Sequence, residues 1–356
     1  MKCIRCNRES KKSERSDGKC PGCRWPFAFE PAAGDPYTDP AFQSAIDAVS
    51  AQGRIRWLPE NLTYELWRRA IVKRRKQLPG CMFACGFVAF GLAVIFAFNF
   101  NVWSGAAVIV AALALMYKMY SARPARPEHS ETLRHLEKWI AAHGTPETLI
   151  VRQEVLPRRR PMEADVGDYS FDRAVITDRS SAVDLLVANN FHFENNCAIL
   201  SVDGYPPHAF EVVRKMLRRN PRLQVFALHD ATPVGCGQAH VLANDPEWFT
   251  QGARVVDVGL RPAHTLGWRA LWGPAVGALA GMPGLGAADA AWLRRYSLEL
   301  AALPPEQVLK RLFHAISKPV TEEGGADSDS DWVGVHLDDS FESEAGAGEG
   351  GDDGFG

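Results

Sequence analysis

The last segment of the chain contains no lysine or arginine. Residues 321–356 hold twelve Asp or Glu side chains, whereas the whole chain of 356 residues has a net charge of only −2, so that the remainder carries +10. A segment rich in Gly, Ser, Asp and Glu buries too little apolar surface to offset its loss of conformational entropy on ordering. We therefore predict that residues 321–356 form a disordered acidic tail.

Two other stretches lack charge altogether. Residues 81–98 and 102–116 contain no Asp, Glu, Lys, Arg or His. Each stretch is about as long as a membrane span, and neither has the polar face that a soluble core helix would show. These stretches predict a two-helix transmembrane hairpin over residues 80–120. With no ionisable side chain inside the spans, there is no sign of an ion or proton pathway, which favours a role as an anchor.

The flanks of the hairpin predict its orientation. Six Lys or Arg residues lie between Arg68 and Lys76, before the first span, and Lys118, Arg123 and Arg126 follow the second. By the positive-inside rule, both termini are expected to be cytoplasmic in a two-pass protein of the inner (cytoplasmic) membrane, with the lipid bilayer as a partner. The N-terminus is polar and resembles no secretory signal, so the first span is the expected export signal.

Small side chains in the spans allow close helix packing, either within the hairpin or between protomers of a homo-oligomer. These residues are Gly86, Gly91, Gly105, Ala106 and Ala107.

Cysteine is scarce outside the first 23 residues, which hold four of the eight cysteines. Cys3 and Cys6 form one CxxC pair, Cys20 and Cys23 form a second, and thirteen residues separate the pairs, as is typical of a zinc ribbon. We predict a zinc ribbon over residues 1–30 with zinc as its cofactor. Two disulfides or a redox CxxC are the alternatives, and a reducing cytoplasm disfavours them. The loop between the pairs is basic, so nucleic-acid contact stays open beside a structural or protein-docking role.

Three further segments have simpler patterns. Residues 31–79 are predicted to be an amphipathic helical segment, with helices at 40–53 and 60–76. Residues 121–168 are predicted to be a helix and a linker, in which the basic cluster Arg158–Arg160 is either solvated or in contact with anionic lipid. The Gly- and Ala-rich stretch from Ala270 to Ala288 is interrupted by prolines, and we expect it to be buried cytoplasmic structure rather than a third span.

From residue 171 onward, short β-rich runs alternate with helical ones, which predicts an α/β domain with a mostly parallel sheet over residues 169–320. The strands are predicted at 171–177, 197–202, 223–228 and 254–258. Asp178, Asp203 and Asp230 each follow a predicted strand, and the carboxyl ends of parallel strands share one edge of a sheet. Their carboxylates could bind magnesium or manganese there, because hard cations prefer oxygen ligands. The alternative is that they cap helices and bind no ligand.

Three runs in this domain resemble the Toprim domain of the topoisomerase VI A subunit family: AVITDR from Ala174, NCAILSVDGYP from Asn196 and VFALHDATPVG from Val225. The resemblance covers residues 171–265. It implies a Toprim-like fold in which Asp178 and Asp230 occupy the positions of magnesium ligands.

The chain also departs from this family. Asp178 stands where the family has Glu, and Thr232 stands where it has the second Asp of an Asp-x-Asp motif. The winged-helix domain that carries the cleaving Tyr is not expected upstream of residue 171. The resemblance therefore implies a degenerate acidic site and no cleavage of the topoisomerase type.

Two functions follow as hypotheses for this multidomain membrane protein. The first is a membrane-anchored cytoplasmic binding or scaffold protein, with a structural zinc ribbon and a non-cleaving Toprim-like domain that binds a cytoplasmic protein, a nucleotide or nucleic acid. The second is a divalent-metal-dependent nuclease or phosphotransferase that uses Asp178, Asp203 and Asp230. A third possibility is an adaptor that works through the ribbon alone. No catalytic residue is assigned, and the histidines are expected to be structural.

Overall fold

A computed structural model of the chain describes residues 1–15, 17–99, 101–121, 124–151, 171–220, 223–249, 255–277 and 285–317. The cluster Arg158–Arg160 and the predicted acidic tail lie outside these residues. The helices are α1 (Asp39–Val49), α2 (Pro59–Asn99), α3 (Val102–Ser121), α4 (His129–His143), α5 (Ser180–Ala188), α6 (Phe191–Glu194), α7 (Pro207–Arg219), α8 (Pro233–Asn244), α9 (Ala287–Leu293) and α10 (Pro305–Ser317). The strands are β1 (Arg173–Thr177), β2 (Cys197–Ser201), β3 (Gln224–Leu228), β4 (Val255–Asp257), β5 (Gly273–Pro274) and β6 (Tyr296–Ser297).

The first four strands form a parallel sheet in the order β2-β1-β3-β4. In the register of this sheet, Ile176 of β1 lies beside Leu200 of β2 and Ala227 of β3. The strands are almost wholly apolar because helices cover both faces. The predicted parallel α/β architecture is thus confirmed, with strand bounds close to those expected. The short strands β5 and β6 form a separate antiparallel pair.

Alternate residues of each strand enter two different cores, as the two-residue period of a strand requires. Ile176 and Ala227 point to the face covered by α7 and α8. Val175 and Phe226 point to the opposite face, which α5, α10 and part of α2 cover. The sheet is therefore buried on both sides. Its candidate functional residues are the polar side chains that follow the carboxyl ends of the strands.

The N-terminal residues belong to a third core. Phe29, which follows the four cysteines, packs with Phe42 of α1, Leu62 of α2 and Trp139 of α4, and all four side chains are buried. A segment of about 30 residues cannot bury enough apolar surface by itself. The N-terminal segment gains its core by packing on these three helices.

Helix α2 differs from the sequence-based expectation. The predicted amphipathic helix at 60–76 and the first predicted span are one continuous helix of 41 residues, about 60 Å long at 1.5 Å per residue. Pro79 and Gly80, at the boundary between the two predicted segments, lie inside it. A proline removes one backbone hydrogen bond but leaves the other turns of a long helix intact, so the helix continues.

The first turns of α2 lie between two of the cores. Leu62 and Leu66 belong to the core shared with the N-terminal segment, whereas Tyr64, Trp67 and Ile71 belong to the core under the sheet. Both faces of this part of α2 are therefore buried.

Helices α2 and α3 are long and apolar enough to cross a membrane. Their apolar side chains face outward, for example Phe87 at 75% exposure and Trp103 at 83%. The two helices are in close contact at Gly105, where an added Cβ would lie 2.7 Å from the carbonyl oxygen of Ala93. Gly91, by contrast, faces open space. Of the small residues predicted to make close contact, Gly105 does so and Gly91 does not.

The structure describes residues 270–277 and 285–288 of the Gly- and Ala-rich stretch, and much of this part is exposed rather than buried as predicted, although Leu271 is buried. Pro274 and the three residues up to Gly277 are exposed, and so are Gly286 to Ala288. The reason is that this stretch enters and leaves the two-stranded β5–β6 pair, which lies at the surface of the domain.

Candidate functional site

The four N-terminal cysteines converge on one point. Their Sγ atoms all lie within 4.8 Å of one another, with 3.7 Å between Cys3 and Cys23 and 3.6 Å between Cys6 and Cys20. A tetrahedral zinc ion with Zn–S bonds of about 2.3 Å places its sulfurs roughly 3.8 Å apart. All four thiols are free, and their separations are far longer than the ~2.05 Å of an S–S bond. The donor set therefore fits a metal ion and excludes the two-disulfide alternative in this structure.

Both CxxC pairs lie on the same kind of backbone turn. In the first, Cys3 N–H donates to Arg8 O and Asn7 N–H donates to Cys3 O. The second repeats this pattern, with Cys20 N–H donating to Trp25 O and Arg24 N–H donating to Cys20 O. Asn7 and Arg24 both have a φ near 60°. The repeated turn gives the pseudo-twofold pair of knuckles expected of a zinc ribbon.

At Cys20, the backbone favours the thiolate form that binds a metal. The N–H of Cys23, and then that of Gly22, aim at the sulfur of Cys20 and lower the pKa of this thiol to about 6. A thiolate is the form that ligates zinc. Zinc at this position would be structural, because four protein ligands leave no open coordination site for a substrate.

At the carboxyl edge of the sheet, Asp178 and Asp230 lie side by side. The backbone N–H of Asp230, just after β3, donates to Asp178 Oδ2 at 2.9 Å, and Asp178 follows β1. The third predicted ligand, Asp203, is exposed in the turn after β2. Among the described residues, the four cysteines are the grouping of three or more His, Cys, Asp or Glu that could hold a metal ion. The structure thus brings two of the three predicted carboxylates together, without a third.

One oxygen of Asp230 accepts a hydrogen bond and the other faces a guanidinium in an ion pair. Leu300 N–H donates to Oδ1 at 2.6 Å, and Arg179 Nε lies 2.5 Å from Oδ2. Asp230 is 2% exposed. Burial, followed by the nearby charge of Asp178, raises the pKa of Asp230 to about 7. Burial also raises the pKa of Asp178. The guanidinium of Arg179 therefore supplies the positive charge that a metal ion would supply in an acidic site.

Further charged residues extend this cluster away from the sheet. Glu299 lies 3.7 Å from Arg179. It accepts a hydrogen bond from Arg126 at 2.9 Å and another from the hydroxyl of Tyr64 at 3.1 Å. Glu299 therefore joins the edge of the sheet to α2. The guanidinium of Arg126 also lies 4.4 Å from the centre of the Tyr64 ring. Acidic and basic groups alternate through this cluster, so its charges are largely balanced.

A buried histidine contacts the residues at the same edge of the sheet. His229 is fully buried, with Nδ1 2.8 Å from Asp230 O and Nε2 2.9 Å from Asp257 Oδ1. Two acceptors require both ring nitrogens to be donors, which is the imidazolium form. Although burial opposes it, the hydrogen bond and charge of Asp257 raise the pKa of His229. Asp257 is held in turn by two hydrogen bonds from Arg261.

Little open space adjoins the acidic pair. The cavity bounded by Asp178, Arg179, Asp230 and Glu299 has a volume of about 70 Å³. Since one water occupies about 30 Å³ of liquid, this space accommodates an ion or two waters and not a nucleotide. A larger cavity of about 450 Å³, lined in part by Arg54, lies outside the acidic cluster.

Other sequence candidates have structural positions. Burial raises the pKa of Cys236 to about 12, so this thiol lacks the thiolate character of a nucleophile. Burial likewise raises the pKa of Cys197 to about 12. The hydroxyl of Tyr205 donates to Asp184 at 2.5 Å, which anchors the turn after β2 to α5.

No sequence pattern indicated several members of the cluster. Glu299, Arg126 and Tyr64 are far apart along the chain and belong to no motif. His229 adjoins Asp230 at a predicted strand end, which was a usable signal, although one of its two acceptors, Asp257, comes from a distant segment. Comparison of the chain with protein-family models, with curated proteins and with solved structures finds no match to any of them.

Proposed function

We propose that the chain is a membrane-anchored cytoplasmic binding or scaffold protein with a structural zinc ribbon and an α/β domain that does not cleave nucleic acid. The observation that carries this proposal is the position of Arg179, whose Nε lies 2.5 Å from Asp230 Oδ2. A magnesium or manganese ion at this edge would need that oxygen as a ligand. Such an ion would have to displace Arg179 from the buried carboxylate of Asp230.

The membrane part of the proposal draws on the two apolar helices and on the distribution of charge. Basic residues on both flanks favour two spans with cytoplasmic termini in the inner membrane. A cytoplasmic ribbon would stay reduced and able to bind zinc. Helix α2 packs against both the N-terminal core and the core under the sheet. The N-terminal segment and the α/β domain would therefore be held together at the membrane surface, where a cytoplasmic protein could bind them. A homo-oligomer and nucleic-acid binding remain parts of this hypothesis, as does the Toprim-like ancestry, which rests on the sequence resemblance.

Manganese titration of the full-length protein in detergent micelles, followed by electron paramagnetic resonance, tests this proposal. We expect no saturable manganese binding by the wild type. The variant Arg179→Met should gain binding, because it frees Asp230 Oδ2, and adding Asp230→Asn to it should abolish the gain. Arg214→Met is the matched control, because Arg214 pairs with Glu211 and Glu247 at the surface. Tight binding by the wild type that Asp230→Asn removes would contradict the proposal.

The adjacency of Asp178 and Asp230 is the one observation that favours the second candidate, a metal-dependent nuclease or phosphotransferase. This function predicts manganese-dependent turnover of a nucleic acid or nucleotide by the full-length protein. Lack of turnover across a panel of single- and double-stranded DNA, RNA and nucleoside triphosphates would remove it. Asp203 is exposed and separate from the pair, so its loss should not affect such turnover.

A further inference from the structure

An aromatic cluster lies at the surface of the α/β domain, around the β5–β6 pair. The rings of Trp272, Trp292 and Tyr296 contact one another, with centroids 4.8 to 5.9 Å apart. Two apolar side chains close to Trp272 in the chain are well exposed, namely Leu266 at 54% and Val276 at 57%. Exposed apolar groups beside aromatic rings are a common mark of an interaction surface.

Contacts along α2 show on which side of the domain this surface lies. The side chain of Asn61 donates to Ala301 O, and the hydroxyl of Tyr64, one turn nearer the apolar part of α2, donates to Glu299. The segment from 301 back to 299 therefore runs toward the predicted span. Tyr296 precedes Glu299 by three residues, which span at most about 10 Å at 3.3 Å per residue.

The 3-10 helix Pro262–Leu271 supports the same placement. It packs against α2, and its residues Trp268 and Leu271 share a core with Ile71. Ile71 is the last residue of α2 in that core and lies about 15 Å along the helix from Cys81, where the apolar stretch begins. Trp272 directly follows this 3-10 helix.

Exposed basic residues lie next to the cluster in the chain and also on α2 near the predicted span. Arg294 and Arg295, between Trp292 and Tyr296, are both exposed. On α2, three further basic side chains are exposed just before the apolar stretch: Lys73, Arg75 and Lys76. Tryptophan and tyrosine favour the interface between water and lipid, and Lys and Arg favour anionic head groups. Nucleic acid could also bind a basic and aromatic surface, but the exposed aliphatic side chains of Leu266 and Val276 suit lipid better.

We propose that this surface, formed by Leu266, Trp272, Val276, Trp292, Arg294, Arg295 and Tyr296, lies in the head-group region of the membrane that α2 and α3 enter. The occupant is a bilayer containing anionic phospholipid. This inference rests on the membrane anchor of the proposed function. The α/β domain is then not only tethered by the hairpin but also held flat against the lipid surface.

Site-specific photo-crosslinking tests this arrangement in the full-length protein, reconstituted in vesicles of phosphatidylcholine and phosphatidylglycerol. The photoreactive residue p-benzoylphenylalanine replaces Val276, and in separate samples it replaces Phe313 or Phe87. Phe313 is 55% exposed and lines the cavity that holds Arg54, beyond the end of α2 that is distant from the apolar stretch. We expect several-fold more lipid adduct at position 276 than at position 313.

Position 87 separates the two proposals. Phe87 is 75% exposed within the apolar part of α2 and should form abundant lipid adducts if the hairpin crosses the bilayer. Lack of adducts at position 87 would overturn the membrane anchor itself. Adducts at position 87, together with equal low yields at positions 276 and 313, would overturn only the present inference. Adducts at position 276 with nucleic acid rather than lipid would overturn it as well.

Charge reversal provides a second measurement. The double variant Arg294→Glu with Arg295→Glu should reduce the lipid adduct at position 276 severalfold in vesicles containing phosphatidylglycerol. In vesicles of phosphatidylcholine alone, the same double variant should change the yield much less, because no anionic head group is present. An equal effect in both kinds of vesicle would contradict the role assigned to anionic lipid.

Discussion

The indole N–H of Trp25 donates to Nδ1 of His143 at 3.0 Å, which links the second cysteine knuckle to the end of α4. Because an indole can only donate, Nδ1 must accept, and the proton of His143 is on Nε2, 2.8 Å from Asp39 Oδ2. The carboxylate of Asp39 also accepts from the backbone N–H groups of Ala28 and Phe29. These bonds attach the ribbon to the helical part of the protein in a fixed orientation.

Replacing Asp39 should loosen that attachment. Asp39→Ala removes a fully buried carboxylate and leaves two backbone N–H groups and the Nε2–H group of His143 without their acceptor, so it should lower the free energy of unfolding by about 3 kcal/mol. Denaturant unfolding in detergent micelles, followed by tryptophan fluorescence, measures this change. Glu137→Ala, at an exposed position of α4, is the control and should have almost no effect.

Zinc content should depend on the four clustered cysteines alone. We expect one zinc ion per chain by elemental analysis, and Cys20→Ser should reduce this content to near zero. Cys236→Ser should retain it, because Cys236 lies next to Leu260 O in the α/β domain. Equal zinc content in the two variants would show that the metal is bound elsewhere.

Asp230 should make the protein less stable as the pH rises from its ordinary pKa of 3.8 to about 7. In this range the unfolded chain has lost a proton that the folded protein keeps, so a rise in pH favours unfolding. Asp230→Asn should lack this dependence and can still accept the N–H of Leu300. Unfolding midpoints of both proteins, measured below and above the range, provide the test, and parallel pH profiles would refute the shift.

Gly259 should not tolerate a side chain. An added Cβ would lie 2.3 Å from Cδ2 of the buried His229, whereas nothing lies within 4 Å of the equivalent position at Gly267. We expect Gly259→Ala to lower the free energy of unfolding by about 3 kcal/mol or more, because neither the ring nor the backbone can move away. Gly267→Ala is the matched control and should unfold like the wild type in the same assay.

The order of strands and helices could be predicted because the apolar runs at 171–177, 197–202 and 223–228 match the period of buried strands and are separated by helical runs. The cysteine cluster could be predicted from spacing alone. Asp178 and Asp230 could be placed at one edge because parallel strands share their carboxyl ends. These predictions all depend on local pattern or on topology.

The rest depends on contacts between distant parts of the chain. Proline and glycine often end a helix. Helix α2 nevertheless continues through Pro79 and Gly80, because the turns on either side keep their own backbone hydrogen bonds. Arg179 directly follows Asp178 in the sequence. Its ion-pair partner Asp230, however, can be identified only from the pairing of β1 with β3 in the sheet. Glu299 joins this cluster from 69 positions beyond Asp230, and no sequence pattern indicates such a pairing.

The unbroken course of α2 has a mechanical consequence. The helix that would cross the lipid also contributes Leu66 to one core and Trp67 to the other. No loop separates its apolar part from these two residues. A change in bilayer thickness that tilts the buried end must therefore turn or shift both cores, and an inserted residue after Ile71 would twist them by about 100° relative to the hairpin. If α2 crosses a bilayer, the thickness of that bilayer is coupled through one helix to the packing of both cores.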